Sequence, residues 1–153
     1  MKTHAEMKAQ ALSQPEVKEA YDALAKGNTD LRSEHNLKLY IAGHPTPNPA
    51  PTLDHPRPDR LVHGNPARQT WDCYSHGPMN AGIWECEPGA WRIAFADNKQ
   101  EFFHIIHGRV RLHADHGPAH TIGPGEAAII PPGFTGVFEV LEAVRKYYVI
   151  VEG

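Results

Sequence analysis

Two cysteines in 153 residues could make one disulfide at most, and no export signal accompanies them. Cys73 and Cys86 are therefore expected to be reduced thiols packed in a core. Neither has a recognisable histidine or helix N-terminus beside it, so a nucleophilic cysteine is not expected. No apolar run approaches the length of a transmembrane helix. The opening stretch MKTHAEMKAQALSQ lacks the apolar core of a secretory signal and the arginines of a transit peptide, which points to the cytoplasm. An excess of one charge is missing too. A formal charge of −3 favours neither nucleic acid nor an anionic membrane as partner. G-x-S-x-G, a phosphate loop, C-x-x-C and internal repeats are also lacking.

Histidine and proline, by contrast, are plentiful, with 11 and 14 copies. The prolines divide the chain. Before them, Ser13 and Glu16 have capping-box spacing, Pro15 suits a first turn, and Val17, Tyr21 and Leu24 form one apolar stripe. Gly27 sits where a helix would end, so residues 1–27 are assigned to an N-terminal helix. Residues 28–65 are assigned to an extended proline-rich arm. Its segment GHPTPNPAPTLDHPRPDR removes backbone donors and fixes φ, which forbids a helix or a central strand. Leu37, Leu39 and Ile41 alternate just before it, so the arm is expected to be partly docked.

Residues 66–153 change character. Short β-rich runs such as QTWDCYS, NAGIWECE, AWRIAFA, EFFHIIH, RVRLHAD, GVFEVLE and RKYYVIV alternate with Gly/Pro turns. That spacing predicts an all-β barrel or sandwich. Gly108 is read as the turn glycine of a hairpin, and Gly123-Pro124-Gly125 as a second turn.

Two segments make the reading more specific. Glu101-Phe-Phe-His-Ile-Ile-His-Gly108, followed by Arg109-Val-Arg-Leu, resembles the second half of the first cupin motif. Gly125-Glu-Ala-Ala-Ile-Ile-Pro131-Pro-Gly133-Phe-Thr-Gly136 resembles the second motif. With GIWECEPGAWRI before them, the last 85 or so residues look like the compact cupin domain of (S)-ureidoglycine aminohydrolases. The resemblance implies a single jelly-roll β-barrel preceded by the N-terminal helix and arm. It also implies a metal held by two histidines as H-x-H, the glutamate, and a histidine of the second motif.

Here the H-x-H positions fall on Ala94 and Ala96, or on Phe95 and Asp97, and the last histidine position falls on Gly136. Only Glu101 survives by motif, with Asp97 as a second carboxylate under one of the two spacings. No metal ligands are assigned, no tightly bound cofactor is expected, and a divalent metal has no motif support. Strand parity turns Glu101, Phe103 and Ile105 inward and Phe102, His104 and Ile106 outward. His104 is thus an unsuitable partner for Glu101. His107 beside the turn, and His113, His116 and His120 around a hairpin, read as solvated. The apolar outer face of that strand needs cover from the helix and arm or from a second subunit, so a homodimer is expected.

Inside an apolar barrel, Glu101 is either a general acid or base or a buried carboxylate paired with Arg92 or Lys146. Glu101 and Lys146 are the candidate catalytic residues. Trp91, Arg92, Phe103, Phe138 and Tyr148 are the candidate pocket residues. Three functions remain open: a barrel that binds an unidentified small molecule without a tight metal; an enzyme, either a metal-independent isomerase, lyase or hydrolase or an aminohydrolase-like metalloenzyme with altered ligands; and an interaction module using the helix and arm.

Overall fold

Residues 3–24, 39–43 and 50–153 are described in the computed structural model of the chain. They fall into two units, Met1–Leu39 and Tyr40–Gly153. In the first unit, helix α1 spans His4–Leu12, and a second helix, α2, follows over residues 15–24. The sequence signals anticipate only the second. Thr3 and Glu6 make the capping box instead: the Glu6 carboxylate accepts from the Thr3 N–H at 2.7 Å, and Thr3 Oγ1 accepts from the Glu6 N–H. Hydrogen bonds from the Thr3 N–H and hydroxyl hold the Glu6 carboxyl below its usual range. Ser13 is not the N-cap of α2. It closes α1, its hydroxyl donating to the Gln10 carbonyl at 2.6 Å. Gly27, Leu37 and residues 44–49 of the arm lie outside the described residues.

Among the described residues the second unit contains nine strands: β1 Thr52–Asp54, β2 Leu61–His63, β3 Arg68–His76, β4 Met79–Cys86, β5 Gly89–Ala94, β6 Lys99–Ala114, β7 Ala119–Ile122, β8 Ala127–Ile130 and β9 Thr135–Glu152. All their pairings are antiparallel. Among the described residues no helix is long and apolar enough to cross a membrane.

The barrel is organised by one long ribbon. β6 and β9 pair from Lys99↔Glu152 to Ala114↔Gly136. The C-terminal half of β9 also pairs with β4, and its N-terminal half with β5. Likewise β6 pairs with β8 at one end and β7 at the other. The ribbon thus runs through the whole of one nine-stranded sheet and bends along its length. The bend lies where the register shifts, between Ile105 and Val110.

Gly108 sits in that bend at φ 84°, inside one continuous strand rather than at a hairpin turn as the sequence suggests. A Cβ there would overlap the Ala143 carbonyl, so glycine serves both the bulge and the close approach of β9. GVFEVLE and RKYYVIV, read as separate runs, are one strand for the same reason: β9 follows β6 around the bend.

The sheet also begins earlier than residue 66. β1 pairs with β3, and β2 pairs with β5, each as an edge strand, where neighbouring prolines cost no ladder bond. The core packs Phe103, Ile105, Val110 and Leu112 of β6 against Phe138, Val140, Val144 and Tyr148 of β9, with Trp91 and Cys86 alongside. Burial pushes the Cys86 thiol up to about 12, which keeps it protonated and inert at neutral pH.

Candidate functional site

A cavity of about 420 Å³ opens inside the barrel, between the inner faces of β3, β4, β5, β6 and β9. Its most buried polar feature is an ion pair. Lys146 Nζ donates to Glu101 Oε2 at 2.8 Å, with the two side chains 5% and 10% exposed.

Strand register explains how they meet. Lys146 stands opposite Ile105, Phe103 opposite Tyr148, and Glu101 opposite Ile150. Two rungs therefore separate the lysine backbone from Glu101. The flexible stem reaches past Phe103, and Nζ comes to lie 4.5 Å from the Phe103 ring centroid. Trp84, the β4 neighbour of Lys146, faces it at 4.5 Å, and Phe138 at 5.0 Å. The ammonium thus rests against three ring faces and one carboxylate.

An ammonium has three donors and a carboxylate has two oxygens. The protein uses one of each here. The remaining capacity belongs to side chains that line the cavity.

A second polar row crosses the same wall. Tyr148, Gly82 and Asp72 are aligned across β9, β4 and β3. The Tyr148 hydroxyl donates to Asp72 Oδ1. It passes over Gly82, where a Cβ would press on the phenol oxygen. Burial, helped by the hydrogen bond and charge of Asp72, drives the Tyr148 phenol far above its usual range, so it remains protonated. Arg68 pairs with Asp54 through two contacts of 2.8 and 2.6 Å, and its guanidinium lies 5.5 Å from the Trp91 ring.

Of the expected pocket residues, Trp91, Phe138 and Tyr148 line the cavity together with Glu101 and Lys146. Phe103 lies fully buried beneath Lys146 and forms its support rather than the wall. Arg92 points away. Trp91 and Ile93 take the inner face of β5, so the pleat turns Arg92 outward, where it pairs with Asp115 at 2.6 Å. Thr70, Asp72, Asn80 and Lys99 also line the cavity and carried no sequence signal beyond strand alternation. Trp84 was legible as a strand aromatic, but not as the partner of Lys146.

The metal that cupin motifs imply does not fit these residues. Where nitrogen donors would be needed, β5 and its extension present Ile93 and Phe95 to the cavity, while Ala94, Ala96 and Asp97 are exposed. Gly136 admits no side chain at all, because a Cβ there would overlap the His113 carbonyl oxygen. The surviving carboxylate is already held by an ammonium. No group of three His, Cys, Asp or Glu gathers at metal-binding distance among the described residues. A carboxylate beside a cation and three rings is not a transition-metal donor set.

The EutQ-like cupin domain family matches residues 75–148, which take in β4 to β8 and most of β9 but not the cavity-lining β3 residues Arg68, Thr70 and Asp72. The barrel has the cupin fold. Its fold is similar to that of a protein of unknown function from Pseudomonas syringae pv. tomato, of the DUF861 family. The TM-score is 0.60 at 21% identity, over 67% of this chain and 45% of that one. The EutQ protein of Clostridium difficile gives a TM-score of 0.51 at 22% identity, over 57% of this chain and 64% of that one. A protein of unknown function from Rhizobium leguminosarum bv. viciae gives 0.50 at 22% identity, over 56% and 82%. This chain therefore spans less than two thirds of the first two relatives. No curated protein matches it. These likenesses carry the fold, not the aminohydrolase activity that the motif resemblance implies.

Proposed function

We propose that this protein binds a small molecule inside its barrel, with the Lys146–Glu101 pair as the polar anchor in the place a metal takes in metallocupins. The observation that supports this is the pair itself. It lies at the most buried part of a cavity of about 420 Å³, with donor and acceptor capacity that the protein leaves unspent. Binding sites of this kind are mostly apolar, with a few convergent polar groups that fix the ligand's orientation. Trp84, Trp91 and Phe138 supply the apolar walls here.

The anchor has a chemical consequence. A carboxylate hydrogen-bonded to an ammonium can orient a carbonyl or hydroxyl group between them. It also provides a proton donor and acceptor side by side, the requirement of a metal-independent isomerase or lyase. Binding is the reading favoured here. Turnover is the second reading, supported by this one adjacency.

The test has two parts. Elemental analysis of the purified protein should find no stoichiometric transition metal. One equivalent of metal that disappears in Glu101→Gln would overturn the metal-free anchor. A fragment library screened by tryptophan fluorescence should yield saturable binders that Lys146→Met weakens; a library with none would overturn the binding reading.

A further inference from the structure

We propose that the ligand of this cavity is a neutral polyhydroxylated molecule of monosaccharide size, a proposal that rests on the barrel being a small-molecule site. Three observations lead to it. The first is charge. Cavity-lining carboxylates and cations are matched: Glu101 with Lys146, Asp54 with Arg68, and Glu152 in register opposite Lys99. Asp72 remains, and it already accepts the Tyr148 hydroxyl.

A charged ligand meets this balance badly. An anion would enter a lining with one more carboxylate than cation. A cation would need the faces of Trp84 and Phe138, which the Lys146 ammonium already holds at 4.5 and 5.0 Å. Either ion would compete with a buried pair whose partners each need the other, since the two side chains are only 5% and 10% exposed.

The second observation is the kind of hydrogen bonding left open. Lys146 keeps two donors and Glu101 keeps an oxygen, side by side. A hydroxyl is the small neutral group that both accepts and donates, so one hydroxyl can satisfy the two at once without separating them. On the same wall, Thr70 and Asn80 face the cavity, and neither side chain has a hydrogen-bond partner among the described residues. They offer further donors and acceptors of both signs. A set that asks for several groups of dual character matches adjacent hydroxyls better than a single carboxylate or amine.

The third observation is shape. Trp91 and Phe138 lie 5.3 Å apart at an interplanar angle of 34°, and Trp84 meets Phe138 edge-on at 5.7 Å. Together with Ile93, Ile130 and Ile150, which also line the cavity, these rings form an apolar wall that suits the C–H surface of a cyclic polyol, which presents hydroxyls at its rim and carbon-bound hydrogens on its faces.

The test titrates the full-length protein with D-ribose, D-xylose, D-glucose and myo-inositol as neutral probes. Benzoate, butylamine and alanine serve as the anionic, cationic and zwitterionic probes. Saturation-transfer NMR and tryptophan fluorescence report binding. At least one neutral probe should saturate and bind more tightly than every charged one. Asn80→Leu, which leaves the buried pair intact, should weaken that probe roughly fivefold to tenfold. Arg92→Ala, on the outer face, should leave it unchanged. A charged or zwitterionic probe that outcompetes all the polyols would overturn the ligand class and leave the small-molecule reading standing. Neutral binding indifferent to Asn80→Leu would overturn the assigned wall. If no probe of any class binds while the fragment screen still finds binders, this inference alone falls.

Discussion

β6 carries two different environments on one strand. Its inner face holds Glu101, Phe103 and Ile105, all buried, with a charged group among apolar ones. Its outer face holds Phe102, His104 and Ile106, none of them fully buried, with no carboxylate, lysine or arginine among them. The arrangement reverses the usual expectation that charge lies outside and aromatic surface inside. The difference shows that a buried charge persists where a partner satisfies it, and that an apolar outer face has to be judged by what covers it.

The largest effect should come from breaking the inner pair. Lys146→Ala strands the Glu101 carboxylate in an apolar setting and removes the stem that packs on Phe103. Urea denaturation should show a loss of about 3–5 kcal/mol. Removing both charges together, in a Lys146→Met/Glu101→Leu double variant, should recover most of that loss. Equal losses in the single and double variants would show that the pair stabilises the fold through packing alone.

A second effect distinguishes inside from outside by pH. The thiol of Cys86 is raised from its ordinary 9.0 to about 12, chiefly by burial. A group raised on folding contributes stability that is complete below its unfolded value. The contribution is lost as pH climbs from about 9 towards 12, because the unfolded chain ionises first. Cys86→Ala should flatten the decline in stability across that window, measured by denaturation at stepped pH. An unchanged slope would place the alkaline sensitivity elsewhere.

The outer face gives a smaller, intermolecular effect. Phe102, 44% exposed, stands between Ile129 of β8, 65% exposed, and Val149 of β9 on one row. The homodimer expected from the sequence rests on this row. Analytical ultracentrifugation should find the native protein dimeric and Phe102→Glu shifted towards monomer, with the single-chain fold retained. A monomeric native protein would remove the expectation.

How much of this could be read beforehand depended on periodicity. Alternation placed Glu101, Phe103 and Ile105 inside and Phe102 outside, and the spacing of the two cupin-like motifs pointed to the fold, because both signals are local. Lys146 was legible only as one of two cations on strands. Its choice over Arg92 depends on the β6–β9 register, which no local pattern contains. The polar wall of Thr70, Asp72 and Asn80 was missed because its members lie on two strands and gain meaning only across the ladder. Gly108 misled for the opposite reason. Positive φ is needed equally by a hairpin turn and by a bulge, so the residue alone does not say whether the strand ends.

Arg92 offers the smallest and sharpest comparison with Lys146. Both are strand cations paired with a carboxylate at short range, 2.6 Å for Arg92–Asp115 and 2.8 Å for Lys146–Glu101. Distance therefore does not separate them, and solvent does. Arg92 is 51% exposed, whereas Lys146 is 5% exposed. Water and counterions screen the outer pair and solvate whichever partner is left alone, so Arg92→Ala should cost far less than Lys146→Ala. The Asp115 carboxyl, held below its usual range by hydrogen bonds from Arg92 and Thr135, should move upward in the variant, as carboxylate NMR titration can show. A stability loss as large as that of Lys146→Ala would mean that Arg92 closes the barrel wall through its stem, and that exposure does not rank these two pairs.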